Sequence, residues 1–214
     1  YASFMPKPIL NAPGSGLHVN ISLVNNGLNV FKNITEGHSN IAESFIAGIL
    51  EKTPEITIFL NPIANSYERF GKFEAPEYVS WSYSNRSQLI RVPAAFGEKV
   101  RIELRSPDPS INPYLGFALI IAAGLEGIEK GMALPPASNV DLYLADEAIT
   151  KKLRSLPSDM NEAIKLAEES DFVKSILGEK LLFKYISCKK AEADEFTAAE
   201  DKTEFYKKKY FEII

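Results

Sequence analysis

Residues 17–23, LHVNISL, alternate without a slip. Leu17, Val19, Ile21 and Leu23 point one way, and His18, Asn20 and Ser22 the other. A period of two is that of a half-buried strand. VRIELR, residues 100–105, repeats the pattern, with Val100, Ile102 and Leu104 opposite Arg101, Glu103 and Arg105. Asn26-Gly27 is a hairpin signal, and residues 79–92 carry strand material around an Asn-Arg-Ser turn. Ser39 caps a helix to about Lys52 whose Ile41, Phe45, Ile49 and Leu50 share a face. Asn112-Pro113 opens a second helix, cap followed by proline at the first helical position, ending near Gly131. Its Tyr114, Leu115, Ala118, Leu119, Ala122 and Leu125 predict that it is mostly buried. Pro6, Pro8 and Pro13 exclude a helix from residues 1–16, and 60–78 reads as a long loop of the kind that carries function. Beyond a loop at 131–148 the pattern is helical, with caps at Ser158 and Asp171 and a stop at Gly178. From Glu179 on there is neither Gly nor Pro, so one or two helices fill the tail. The predicted class is α+β: an antiparallel sheet with one polar, site-bearing face, helices packed on the other face, and a helical C-terminal part.

Composition narrows the function. The chain has 214 residues, 45% hydrophobic and 24% charged, with a net charge of −4. That is an ordinary globular composition, without the basic field that nucleic acid requires. The longest apolar run, Phe117 to Leu125, is too short to span a bilayer. The single cysteine, Cys188, cannot form an internal disulfide, and a cytoplasmic location is the expectation. The chain begins at Tyr1 and runs straight into ordered-looking sequence, which reads as a portion of a longer protein. Arginine is unevenly placed: Arg69, Arg86, Arg91, Arg101 and Arg105 are five of only six, against eighteen lysines. Arginine is favoured where a planar fork grips carboxylate or phosphate, so the cluster points to an anion site rather than to scattered surface ion pairs.

His18 and Glu103, on the polar faces of the two strands, could share a divalent metal. From the residues alone, however, His18 reads first as a satisfied, half-exposed strand histidine. Two ligands are fewer than a catalytic metal needs unless substrate phosphates fill the gap. Arg101 and Arg105 flank Glu103, either as an ion-pair ladder or as anion clamps beside a metal-bound carboxylate.

Five blocks then carry a resemblance: MPKPI (5–9), GSGLHVNISL (14–23), NPIANSYERF (61–70), FEAPEYVSWSYSNRSQLIRVP (73–93) and RIELRSPDPSINPYL (101–115). In order and spacing they resemble the second half of glutamine synthetase, to about residue 130, with DLYLADE (141–147) a weaker match. The resemblance implies the C-terminal portion of the catalytic domain, with 1–130 the sheet and site-bearing part and 131–214 mainly helical. The family's N-terminal β-domain and the start of its catalytic domain would lie outside this chain. It implies ATP-dependent ligation of ammonia to the γ-carboxylate of L-glutamate through a γ-glutamyl phosphate, with Mg2+ or Mn2+, in a homo-oligomeric ring. By the same resemblance His18 and Glu103 are metal ligands, Gly14 grips the substrate glutamate, and Arg69 and Arg105 clamp glutamate and the phosphoryl group. Glu74 is the flap carboxylate that takes a proton from ammonium. Arg86 and Arg91 hold nucleotide phosphates, and Asn20, Ser22, Lys99 and Arg101 lie by the nucleotide.

The chain departs from the family pattern at several points. Pro13 replaces an Asn before Gly-Ser-Gly, and Asn20 replaces the second imidazole of His-x-His. The stretch between Arg91 and Glu103 is one residue shorter than the bacterial pattern. Tyr143 falls near a tyrosine that some bacterial enzymes modify, but its neighbours differ. The resemblance implies that the fragment alone is inactive. Two rival readings are a γ-glutamyl ligase for another amine, which the retained Glu74 disfavours, and a non-catalytic relative kept for assembly.

Overall fold

The alternating segments become strands in a computed structural model that describes residues 2–32, 38–73, 75–211 and 213. The LHVNISL segment supplies β1 (Val19–Ile21), and Asn26-Gly27 closes the small hairpin β2 (Val24–Asn25) and β3 (Leu28–Asn29). Asn26 and Gly27 both have positive φ, at 50° and 79°, as a two-residue hairpin turn requires. Next come α1 (Asn40–Leu60), β4 (Trp81–Tyr83), β5 (Ile90–Val92), β6 (Ile102–Leu104) and α2 (Pro113–Glu129). The helical tail is α3 (Glu147–Thr150), α4 (Met160–Glu169), α5 (Asp171–Leu177), α6 (Glu179–Ala198) and α7 (Lys202–Tyr206), which runs into a π-helical turn, Lys207–Phe211. No helix among the described residues is long and apolar enough to cross a membrane.

The sheet order is β1-β6-β5-β4. β1 with β6, and β6 with β5, are antiparallel, so Asn20, Glu103 and Arg91 lie side by side across three strands. The opposite face meets the core: Val100, Ile102, Leu104, Ile90 and Val92 are buried in one cluster with Phe45, Ile49, Phe59 and Leu60 of α1. The mixed α+β class and the division of strand faces therefore stand.

Five details differ from the sequence expectation. β4 and β5 are parallel, because residues 84–89 loop back along β4 instead of making a hairpin; Ser84 takes a φ of 61° at the reversal. The first helix runs eight residues beyond Lys52, through Pro54. Only one amide is lost there, and the hydroxyls of Thr53 and Thr57 donate to carbonyls one turn back. The loop at 60–78 contains a 3-10 helix, Ala64–Arg69. Finally α2 is buried on one face only: Leu119, Ile120 and Ala123 are covered, whereas Tyr114, Phe117, Ile121 and Leu125 are exposed. Its apolar residues run all round, and this chain packs only the side that meets α1. The caps move by one residue, Asp159 opening α4 and Ser170 opening α5.

α1 and α2 approach at Gly48 and Gly127, whose backbones nearly touch. A Cβ on Gly127 would stand 2.8 Å from the Gly48 Cα and would collide with the Ser44 carbonyl. This contact sets how closely the two helices approach. At the end of α1, Asn61 donates to the Ser106 carbonyl (2.8 Å) and to Asp108 Oδ2 (2.9 Å), fixing the loop that leaves β6.

Candidate active site

Glu103 sits at the centre of the polar sheet face, with its side chain almost wholly buried. Arg105 Nη1 donates to its Oε1 (2.8 Å), and Arg91 grips its Oε2 through Nε (2.7 Å) and Nη2. His18 Nδ1 stands 3.0 Å from Oε1. Burial alone would raise the Glu103 pKa. The Arg91 hydrogen bond and the charges of Arg105, Arg91 and His18 outweigh it and hold the carboxyl below its ordinary value. For His18, burial and then the Arg105 charge lower the pKa against the pull of Glu103, which favours the neutral imidazole.

Arg69 reaches the same place from the 3-10 helix. Its Nη1 donates to the Ser106 carbonyl (2.7 Å) and its Nη2 to the Arg105 carbonyl (3.1 Å). Burial lowers its pKa, and the nearby Asp108 opposes that shift. Asp108 is itself pushed up by burial, against hydrogen bonds from Ser110, Asn61 and Ser66 and the charge of Arg69. Between Arg69 and His18 lies Gly16. A Cβ there would stand 2.5 Å from Arg69 Nη2 and 3.1 Å from His18 Nε2. Because two carbonyls pin the Arg69 fork, it cannot swing aside. Gly16→Ala is therefore expected to cost about 1 kcal/mol of stability, which denaturant titration checks.

The sequence candidates fall into three groups. His18, Arg69, Arg91, Glu103 and Arg105 converge. Arg86 joins them through its backbone, whose carbonyl accepts from Arg105 Nε (3.1 Å) and Tyr143 OH (3.5 Å). A second group lies further along the same face: Arg101 Nε donates to Asn20 Oδ1 (3.0 Å) and Arg101 Nη1 to the Lys99 carbonyl (3.3 Å). Ser22, with His18 and Asn20, borders an open groove of about 530 Å3 between β1 and Phe117, Ile120 and Ile121 of α2. Gly14 forms no part of the charged cluster and packs on Pro6 and Lys7. Glu74 lies outside the described residues. Gly16, Ser106 and Asp108 were missed in the sequence. The only signal was SPDP after the charged strand, since a close approach by glycine and a carbonyl acceptor leave no residue-type signature.

As a metal centre the donor set is partial. An imidazole and a carboxylate suit Mn2+, and the carboxylate suits Mg2+. Among the described residues, however, no group of three or more His, Cys, Asp or Glu could hold a metal ion.

Comparison with known proteins agrees with this geometry. The family model for the glutamine synthetase catalytic domain matches residues 1–208. Curated glutamine synthetases from Methanosarcina mazei and Pyrococcus furiosus are 47% and 46% identical over 203 and 184 residues, covering 92% and 84% of this chain. One from Thermus thermophilus is 39% identical over 201 residues, 92% of this chain. The chain spans about half the length of these relatives, 45%, 41% and 45% respectively. Two solved structures, described as "GmaS/ADP complex-Conformation 1" and "Apo GmaS without ligand", superpose with TM-scores of 0.83 and 0.81 at 29% identity. They cover 96% and 97% of this chain, which in turn covers 48% and 47% of theirs. The blocks of sequence, the strand faces and these matches together place the chain in the glutamine synthetase catalytic-domain family.

Proposed function

We propose that the full-length protein joins ammonia to the γ-carboxylate of L-glutamate at the expense of ATP, by way of a γ-glutamyl phosphate. This chain is then the C-terminal portion of the catalytic domain, carrying part of the site and inactive alone. The reading rests on one observation: two guanidinium groups, of Arg91 and Arg105, and the His18 imidazole lie within hydrogen-bonding reach of one buried carboxylate, Glu103, and the Arg69 fork is pinned beside them on the Arg105 and Ser106 carbonyls. Phosphoryl transfer to a carboxylate gathers several negative charges, and fixed cations stabilise them. The ADP in the description of one solved relative also supports a nucleotide.

His18 and Glu103 would hold part of the shell of an Mg2+ or Mn2+ ion, the rest coming from residues outside this chain. Such an ion supplies positive charge at the transferring phosphoryl group. The residues of this chain do the positioning. Arg69, anchored by two carbonyls, and Arg105 present planar forks to the glutamate carboxylates and the phosphoryl oxygens. Arg91 and Arg86 face the nucleotide phosphates, with Asn20, Ser22, Lys99 and Arg101 further along the face. Gly14 contributes backbone to the amino acid. Glu74, assigned on resemblance alone, takes the proton that ammonium must lose before it attacks. A cytoplasmic homo-oligomeric ring is part of the same proposal.

The test is an ATP-dependent glutamine assay with Mg2+ or Mn2+, run on the full-length protein and on this chain. Glutamine and phosphate should form in equal amounts with the full-length protein only. Turnover by the 214-residue chain would overturn the partial-site reading. Turnover with larger amines but not with ammonia would favour the alternative ligase, and nucleotide binding without any turnover would favour an assembly role.

A further inference from the structure

The largest fully buried side chain among the described residues belongs to a lysine, Lys7, which is 1% exposed. A buried ammonium is costly unless its charge is engaged. Lys7 Nζ donates to the Ala12 carbonyl (2.5 Å) and lies over the face of Phe73, 4.2 Å from the ring centroid. Its backbone is held as firmly. The amide donates to Asn65 Oδ1 (2.7 Å), and Asn65 Nδ2 donates back to the Lys7 carbonyl (3.0 Å). Asn65 is fully buried within the 3-10 helix that ends at Arg69. The neighbouring Pro6 carbonyl accepts from the Ser15 amide (2.8 Å), and the Lys7 stem lies 3.4 Å from where a Cβ of Gly14 would be. Burial, with Lys72 and Arg69 nearby, lowers the ammonium pKa, as expected of a charge kept from water.

Three parts of the chain thus meet on one residue: the loop to Gly14 and Gly16 and Phe73 on its side chain, and the helix carrying Arg69 on its backbone. We infer that Lys7 is a positioning residue for the amino-acid end of the site, its ammonium tying Ala12 to Phe73 while its backbone fixes both against the Arg69 helix. The kinetic part of the inference rests on the reading of Gly14 and Arg69 as glutamate-binding; the structural part does not. Phe73 has a φ of 49°, an unfavourable conformation for an aromatic residue, and it is half exposed. Contact with Lys7 gives that conformation a partner.

The test uses full-length protein carrying Lys7→Met, which keeps the apolar stem and removes the charge, and Phe73→Leu, which removes only the ring. In K7M the KM for glutamate should rise about tenfold while the KM for ATP stays within about twofold. Amide exchange in peptides covering residues 8–16 and 70–77 should quicken, with α1 unchanged. F73L should speed exchange in the same two segments, and the double variant should exchange no faster there than K7M. Unchanged exchange in these segments, an equal rise in both KM values, or additive effects in the double variant would each overturn the inference. Should K7M fail to fold, F73L still decides it through exchange at residues 8–16, because the Lys7 ammonium under the Phe73 ring donates to the Ala12 carbonyl. If the wild-type protein makes no glutamine the proposed function falls, and the exchange comparison still shows whether Lys7 anchors these segments.

Discussion

Glu103→Gln is expected to destabilise the ligand-free protein by about 3–5 kcal/mol and, on the proposed function, to reduce glutamine formation by the full-length protein about 100-fold or more. The first effect follows from what the carboxylate holds. Both its oxygens accept from guanidinium groups, and the Arg105 side chain is only 3% exposed. A carboxamide offers one acceptor oxygen and turns an NH2 donor toward a second donor. Arg105 then loses the carboxylate charge that its Nη1 contacts, and the cost of removing one partner of a buried ion pair exceeds the small net worth of the intact pair. The second effect follows because the same oxygen lies 3.0 Å from His18 Nδ1, so both candidate metal ligands lose their register together. Chemical denaturation measures the first effect, and Mn2+ titration with steady-state kinetics the second. An unchanged denaturation midpoint would show that the two arginines find other partners. That result would remove the argument for a pre-built cationic site.

The other large effect is predicted away from the charged sheet face. Gly127→Val should cost about 3 kcal/mol, and Gly127→Ala less, because α1 and α2 pack backbone against backbone. The obstacles to a Cβ there are the Ser44 carbonyl and the main chain of Gly48, not flexible side-chain ends that could move. The helices must separate, and α1 carries Asn61 at its end. That residue holds the Ser106 carbonyl, which receives Arg69. The seat of the Arg69 fork should therefore loosen as stability falls, even though no residue of the charged cluster has changed. Urea titration of the Ala and Val variants tests this, and a G127A midpoint at or above wild type would contradict the packing argument.

These two sites also show how much could be read in advance. Alternation in residues 17–23 and 100–105 was enough to place His18 and Glu103 on the same face of their strands, because side-chain direction in a strand follows sequence parity. Asn-Gly at 26–27, Ser39 and Asn112-Pro113 marked a turn and two helix starts by local chemistry alone. The reach of α1 through Pro54 was not legible, nor was the parallel pairing of β4 and β5. In both cases tertiary contacts override a local rule: a buried helix tolerates one missing amide, and a loop packed along β4 replaces a hairpin. The one-sided burial of α2 was hidden too, because an apolar residue does not say whether anything in its own chain will cover it.

By itself, then, the sequence determined the family, the two strand faces and the set of charged residues, since each depends on residue type and short spacing. Tertiary structure alone decided that Glu103 lies between two arginines, that Gly16 makes room for Arg69 beside His18, and that a lysine near the start of the chain is buried beneath Phe73. The physical reason is separation along the chain. Arg91 and Glu103 lie twelve residues apart, His18 and Arg105 eighty-seven, and Lys7 and Asn65 fifty-eight. Only the register of β1, β6 and β5 and the packing of the 3-10 helix bring such pairs within a few ångströms.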